Sequence, residues 1–122
     1  MPIGKIYNIN ELKEFLSHKY PDIKITLIYD EINLKSFENQ LISSCSALNT
    51  ILKELLRFNS NINLFLRIHG YRSWLVMKLK GNFVLPKNAA NHITEEINEL
   101  NGIINFSLEE DIIVLDFSVR NS

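Results

Sequence analysis

The sequence predicts an α+β fold, a two-layer α/β sandwich in which helices cover one face of a mixed, mostly antiparallel sheet. Five segments with alternating apolar residues and three segments with a helical apolar period carry this prediction. Their order is helix, strand, long helix, two strands, helix, two strands. At 122 residues, 46% of them hydrophobic, the chain is sized for a single domain over 1–122, without repeats or an internal linker.

The first half of the chain contains the clearest helix and strand signals. Asn8, Glu11 and the apolar residues that follow predict a capped helix that ends before Pro21. Alternation over 23–29 predicts a strand. The strongest element is a long amphipathic helix ending near Asn59-Ser60, and its apolar stripe consists of Leu34, Phe37, Leu41, Cys45, Leu48, Leu52 and Leu55.

Two hairpins and one helix are predicted in the second half. Apolar alternation over 62–68 and again over 75–79 predicts a hairpin whose turn is His69-Gly70-Tyr71-Arg72. A helix over 88–100 is expected to close at Asn101-Gly102, because glycine commonly ends helices. The last two strands, 104–108 and 113–119, are joined by an acidic turn at Glu109-Glu110-Asp111.

Composition excludes several function classes. A net charge of −1 argues against a general polyanion binder. Cys45 is the single cysteine and lies on the apolar stripe, which predicts a buried thiol, no zinc site and a reducing, cytoplasmic location. His69 in the turn and His92 on a helix flank have no second ligand at metal spacing. No apolar run is long enough for membrane insertion.

Three segments resemble parts of one known family. Residues 9–25, the stretch 48–56 of the long helix, and the stretch 93–102 of the last helix resemble the ATP-binding domain of sensor histidine kinases that pair with NarL-type regulators. That domain belongs to the GHKL superfamily and has the Bergerat fold. The resemblance implies this fold, a Mg-ATP site, and a role in two-component signalling.

The positions that the resemblance assigns to the nucleotide carry unsuitable residues. The magnesium asparagine of the family falls on Phe58, four residues after Glu54, and Asn59 comes one residue late, about a hundred degrees around the helix. The adenine-binding aspartate of the family falls on Gly81, which has no acceptor. Only residues 82–87 separate this strand from the next helix, which leaves no room for an ATP lid.

The resemblance and these departures together predict a degenerate histidine-kinase-type ATPase domain. Phosphoryl transfer depends almost wholly on positioning and on metal and donor electrostatics, so we expect no catalytic residue, no cofactor and no metal. Phe58, Asn59 and Gly81 are then vestigial positions in a closed pocket. The predicted function is a noncatalytic protein-interaction module in two-component-type signalling, bound to a response regulator or a kinase. The alternative is a divergent ATP-binding catalytic domain that uses Asn59 for magnesium.

Uneven charge predicts the binding surface. Five basic and no acidic residues lie within 61–90, whereas seven acidic residues and one basic residue follow. This basic hairpin would bind an acidic protein surface or, in another alternative, single-stranded nucleic acid; it would equally pair with the acidic C-terminal segment of its own or a neighbouring subunit. The candidate partner-binding residues are Arg67, Arg72, Trp74, Lys78 and Lys80.

Two features of this surface leave alternatives open. Trp74 is expected on the opposite face of the strand from Leu75 and Met77, away from the main core. It either anchors a partner, or it covers a sheet edge or packs on the first helix. Exposed strand edges would also allow a homodimer.

Overall fold

Three helices and five strands make up the part of the chain that the computed structural model describes, residues 9–29, 37–71 and 74–119. In chain order the elements are α1 (Ile9–Lys19), β1 (Ile23–Tyr29), α2 (Glu38–Phe58), β2 (Ile62–Tyr71), β3 (Trp74–Gly81), α3 (Lys87–Glu99), β4 (Gly102–Glu109) and β5 (Ile112–Val119). This is the predicted order of elements. The cap at Asn8 and the stripe residue Leu34 lie outside the described residues.

The strands form one mixed sheet in the order β1-β2-β3-β5-β4. β1 and β2 are parallel, and every other neighbouring pair is antiparallel. A parallel pair needs a crossover connection, and α2 lies within the segment that joins β1 to β2. The edge strands are therefore β1 and β4.

The two faces of the sheet differ in burial. One face, called the helix face, carries residues such as Leu64, Leu66 and Leu79, which are at most 1% exposed. α1 packs on β1, α2 on β3 and β5, and α3 on β4. The other face, called the outer face, carries the side chains of opposite parity, among them Phe65, Arg67 and Lys78. The predicted two-layer α/β sandwich is thus confirmed.

The core centres on the apolar stripe of α2. Leu41, Cys45, Leu48, Leu52 and Leu55 are all buried, as the spacing predicted. They pack with the helix-face residues of the strands in a single hydrophobic cluster. Among residues 9–29, 37–71 and 74–119, no helix has the length and apolarity required to cross a membrane.

The predicted turn at His69-Gly70-Tyr71-Arg72 is wrong. β2 continues through His69 and Gly70, which lie opposite Val76 and Leu75 of β3 in an unbroken register. Gly70 suggested a turn because glycine tolerates positive φ, but no glycine among the described residues has a positive φ. The connection is therefore confined to residues 72–73, which lie outside the described residues.

Three other connections obtain left-handed backbone from residues other than glycine, and in the connection from α2 to β2 this residue is Asn61, with a φ of 56°. Asn101 has a φ of 60° after the end of α3, whereas Gly102 already belongs to β4 and has no positive φ. The β4–β5 hairpin turns on Glu110 and Asp111, with φ values of 49° and 69°. Positive φ at both central residues is the requirement of a type I′ turn, whose twist matches the strands it joins.

The register of the second hairpin follows the predicted pairing of apolar residues. Ile104 lies opposite Phe117, Phe106 opposite Leu115, and Leu108 opposite Ile113. Burial nevertheless decreases along β4, because Phe106 is 36% exposed and Leu108 is 72% exposed. The helix layer thus covers only the first part of this edge strand.

Burial makes Cys45 a test of the core. Burial raises the pKa of the Cys45 thiol from 9.0 to about 12. Burial likewise raises the pKa of the Tyr20 hydroxyl from 10.0 to about 12. We expect Cys45 in the folded protein to react with a thiol reagent at least about 100-fold more slowly than in the unfolded chain. Above pH 9 the unfolded chain loses these protons while the folded chain retains them, so the free energy of unfolding should fall as pH rises from 9 to 12.

The measurements are labelling kinetics with and without denaturant, and denaturant titrations at several pH values. Native labelling as fast as labelling in denaturant would contradict the burial of Cys45.

Candidate functional site

The end of α2 brings Asn59 against the loop that follows β3. The helix stops at Phe58, and Asn59 has extended backbone, with φ −139° and ψ 145°. Its side-chain Nδ2 donates to the carbonyl oxygens of Leu55 at 2.9 Å and Val84 at 2.8 Å. Its Oδ1 accepts from the backbone N–H of Val84 at 2.8 Å. The Asn59 amide therefore caps the helix and pairs in both directions with one residue of the loop.

This pairing engages the one side-chain oxygen that Asn59 has for a metal ion. Magnesium requires oxygen ligands in a near-octahedral arrangement, and a carboxamide supplies one such oxygen. In Asn59 that atom already accepts a hydrogen bond from Val84. A magnesium ion at Asn59 would compete with the contact that joins loop 82–86 to α2.

Phe58 occupies the position that the resemblance assigns to the magnesium asparagine. Its ring is 37% exposed, and the Arg57 guanidinium lies 5.5 Å from the ring centroid. This geometry is a cation–π contact and offers no oxygen to a metal. The described residues also contain no group of three or more His, Cys, Asp or Glu side chains that could hold a metal ion.

Gly81 ends β3 in a space that is already filled. A Cβ on Gly81 would lie 2.8 Å from Cδ2 of Leu64 and 3.1 Å from Cδ2 of Phe83. Phe83 is 8% exposed and belongs to the core cluster. An aspartate at this position would therefore require the neighbouring core to shift.

Glu54 of α2 forms an ion pair with Arg57 and lies near His92. Glu54 is 7% exposed, and both of its carboxylate oxygens accept hydrogen bonds from Nη1 of Arg57, at 3.1 and 3.2 Å. His92 of α3 places Nε2 3.6 Å from Oε1 of the same residue. No carboxylate at ligand spacing was assigned to His92 from the sequence, so this contact was not predicted. Local spacing could not show this contact, because the two residues lie on different helices.

The loop between β3 and α3 has no room for a lid. Residues 82–86 connect Gly81 directly to Lys87, the first residue of α3. Pro86 precedes α3 without a side-chain cap, and its carbonyl accepts the N–H of Ala90 at 3.0 Å. Beside this loop runs an apolar groove of about 510 Å³, lined by Leu85, Ala90, Phe106, Ser107, Leu108 and Ile113.

The described basic residues of the β2–β3 hairpin, Arg67, Lys78 and Lys80, lie on the outer face. Arg67 and Lys78 are opposite each other across the hairpin, and Asp116 of β5 lies beside Lys78. Arg67 is exposed, whereas Lys78 and Trp74 are half-buried. Arg72 lies outside the described residues. The structure thus brings four of the candidate binding residues, Arg67, Trp74, Lys78 and Lys80, to one face.

Lys80 pairs with the acidic C-terminal segment. Its Nζ lies 2.9 Å from Oε2 of Glu109, so the bridge crosses β5 from β3 to β4. A hydrogen bond from Lys80, together with its positive charge, lowers the pKa of the Glu109 carboxyl. The sequence left open whether the basic hairpin pairs with the acidic C-terminal segment of its own chain. Lys80 does so, through its ion pair with Glu109.

The sequence did not predict two buried polar groups. Among the described residues, Oγ of Ser44 and Nδ1 of His69 are buried without a hydrogen-bond partner. Ser44 lies next to Cys45 on α2, and His69 lies in β2 rather than in the expected turn. Neither atom was predictable from the sequence, because its burial results from packing between elements.

The fold resembles solved histidine kinase structures. The catalytic domain of the histidine kinase ThkA superposes with a TM-score of 0.60 at 12% identity, covering 94% of this chain and 95% of that one. The histidine kinase AdeS of Acinetobacter baumannii gives a TM-score of 0.59 at 9% identity, covering 97% of this chain and 67% of that one.

A third similar structure is ThkA in complex with the response regulator protein TrrA. It gives a TM-score of 0.58 at 12% identity, covering 95% of this chain and 41% of that one. No protein-family model matches the sequence, and the search of curated proteins gave no match. At such identities, structural similarity establishes the fold alone. The chain has the fold of the histidine kinase ATPase domain.

Proposed function

We propose that this chain is a noncatalytic histidine-kinase-type ATPase domain that acts as a protein-interaction module in two-component-type signalling. The observation that carries the proposal is the two-way hydrogen bonding between the Asn59 amide and the backbone of Val84. It joins the loop after β3 to the end of α2, at the place where the resemblance expects a magnesium ligand.

Three further features support a loss of ATP chemistry. Phe58 has no metal-binding atom, Gly81 has no acceptor for an adenine, and five residues replace a lid between β3 and α3. Phosphoryl transfer requires the metal, the donors and the substrate to be positioned together, so the loss of all three should abolish it. A domain with this fold and no catalytic site then has a role other than catalysis, and binding of a partner protein is the simplest such role.

The proposed partner is a response regulator or a kinase, and the proposed contact surface is the outer face. Support comes from Arg67 and Lys78, two cations in register on neighbouring strands. ThkA, whose fold this chain shares, is seen in complex with its response regulator. A nucleic-acid ligand is the second candidate for the same surface, but the bridge from Lys80 to Glu109 and the position of Asp116 beside Lys78 weaken it.

Nucleotide binding tests the proposal directly. In calorimetric titrations of Mg-ATP and ADP we expect no saturable heat up to about 5 mM, and ligand-linked stabilisation below about 0.4 kcal/mol. An active histidine kinase catalytic domain serves as the positive control for the assay. Saturable, magnesium-dependent binding would instead favour a divergent ATP-binding domain that uses Asn59.

The loop contact has its own test. Asn59→Ala removes the hydrogen bonds to Leu55 and Val84, and we expect a loss of about 1–2 kcal/mol in the free energy of unfolding, since water can reach part of this site. Hydrogen exchange at the Val84 amide should accelerate in the same variant. Ser60→Ala, an exposed neighbouring change, is the matched control and should leave both quantities unchanged. Equal exchange rates at Val84 in the two variants would contradict the proposed contact.

Charge reversal separates the two classes of partner. With the receiver domains of response regulators from the same genome as ligands, Lys78→Glu should weaken binding of the cognate domain at least about tenfold. Lys53→Glu, at an exposed position on α2, is the control and should bind like the wild type. Binding of a single-stranded oligonucleotide that Lys78→Glu abolishes, without binding of any receiver domain, would overturn the protein-partner proposal.

A further inference from the structure

β4 is an edge strand without the usual protection against pairing. Among the described residues, no strand pairs with its free edge. All eight of its residues are in register with β5, so it has no bulge, and Glu109 at its end is its only charged residue. Ile103 is 60% exposed and Leu108 is 72% exposed, on opposite faces of the strand. Edge strands normally carry lysine, proline or a bulge that discourages pairing, and β1 at the other edge does carry Lys24.

We propose that two copies of this chain associate through antiparallel pairing of β4 with β4, across a twofold axis at Phe106. The paired sheets form one continuous sheet of ten strands, since each copy contributes five. The proposal concerns a different surface from the outer face and does not depend on the proposed function.

The helix layer covers only the first part of β4, so the covered part of one copy can lie beside the uncovered part of the other. α3 covers the first part of the strand closely, because a Cβ on Gly102 would lie 2.7 Å from Cγ2 of Ile97. Phe106 and Leu108, in the second part, extend beyond that cover. Antiparallel pairing places the uncovered part of each strand beside the helix-covered part of the other, which removes apolar surface from water in both copies.

Side-chain chemistry selects the register. A twofold axis perpendicular to the sheet keeps the helix faces of the two copies on the same side. With the axis at Phe106, this side chain meets its own copy, Ile104 meets Leu108, and the helix face is apolar throughout. On the outer face, Asn105 meets Ser107 and Ile103 meets Glu109.

The nearest alternative register is less favourable. With the axis at Asn105, the highly exposed Leu108 would lie beside Gly102, which has no side chain to pack against it. Cross-strand pairs of large apolar side chains are the main stabilising contacts between strands. The register centred on Phe106 therefore uses the apolar surface of β4 better.

The size of the contact predicts a weak dimer. The register centred on Phe106 pairs seven residues, 103–109, and at about 3.4 Å each they make an edge about 24 Å long, which gives on the order of 240 Å² per copy for a strip about 10 Å wide. A standard stable interface buries about 800 Å² per partner. We therefore expect association that depends on concentration, with a dissociation constant on the order of 100 µM.

Sedimentation equilibrium tests the edge and its register without nucleotide or partner. From about 10 µM to 1 mM the wild type should shift from monomer towards dimer. Leu108→Lys should weaken association at least about tenfold, because it places a charge among apolar side chains. Ile103→Lys should retain or strengthen it, because the new lysine would lie opposite Glu109 of the other copy. Ile28→Lys, an equally apolar exposed position on β1, is the matched control and should leave association unchanged.

Cross-linking gives a second readout of the register. Phe106→Cys, at the axis, should form a disulfide-linked dimer under mild oxidation, since Cα atoms of directly opposed residues are about 4.5–5.5 Å apart. Ile103→Cys is the control and should not, because its copy lies several residues away along the paired strand, and the native Cys45 is buried. A wild type that stays monomeric at 1 mM, a Leu108→Lys variant that associates normally, equal weakening by Ile28→Lys, or cross-linking at 103 instead of 106 would each overturn the proposal.

Discussion

The packing of α2 on the sheet determines where the residues of the candidate site lie. Its apolar stripe, from Leu41 to Leu55, is buried against β3 and β5 in the core cluster. This burial fixes the rotation of the helix about its axis, because a rotation would move the stripe away from the sheet. Asn59 consequently lies against the loop after β3, and Glu54 lies near His92 of α3.

Asn59 shows how a small shift in sequence changes the chemistry of a shared fold. Because it lies just beyond the helix, its amide is free to turn back to Leu55 and to pair with Val84. The same contact holds the loop after β3 against the end of α2. Phe83, buried beneath that loop, fills the space next to Gly81. The proposed loss of nucleotide binding therefore rests on packing as well as on missing ligands.

The two remaining surfaces differ in chemistry, because the outer face carries cations as well as exposed apolar residues such as Phe65, whereas the uncovered part of the helix face at β4 is apolar. The outer face holds cations that partly pair within the chain, as Lys80 does with Glu109. The apolar surface that the helices leave uncovered lies at β4, around Phe106 and Leu108. A partner with acidic groups suits the first surface, and a second copy with the same apolar edge suits the second.

Periodicity by itself determined the element order, the α2 stripe, the burial of Cys45 and the pairing of 104–108 with 113–119, because these depend on local spacing. It misplaced the first hairpin turn, since Gly70 looks like a turn residue unless its strand partner is known. Only tertiary structure decided the Asn59–Val84 and Glu54–His92 contacts and the exposure of Leu108. These features depend on contacts between elements that are 25 or more residues apart in the sequence. The local spacing of apolar residues carries no information about contacts over such sequence separations.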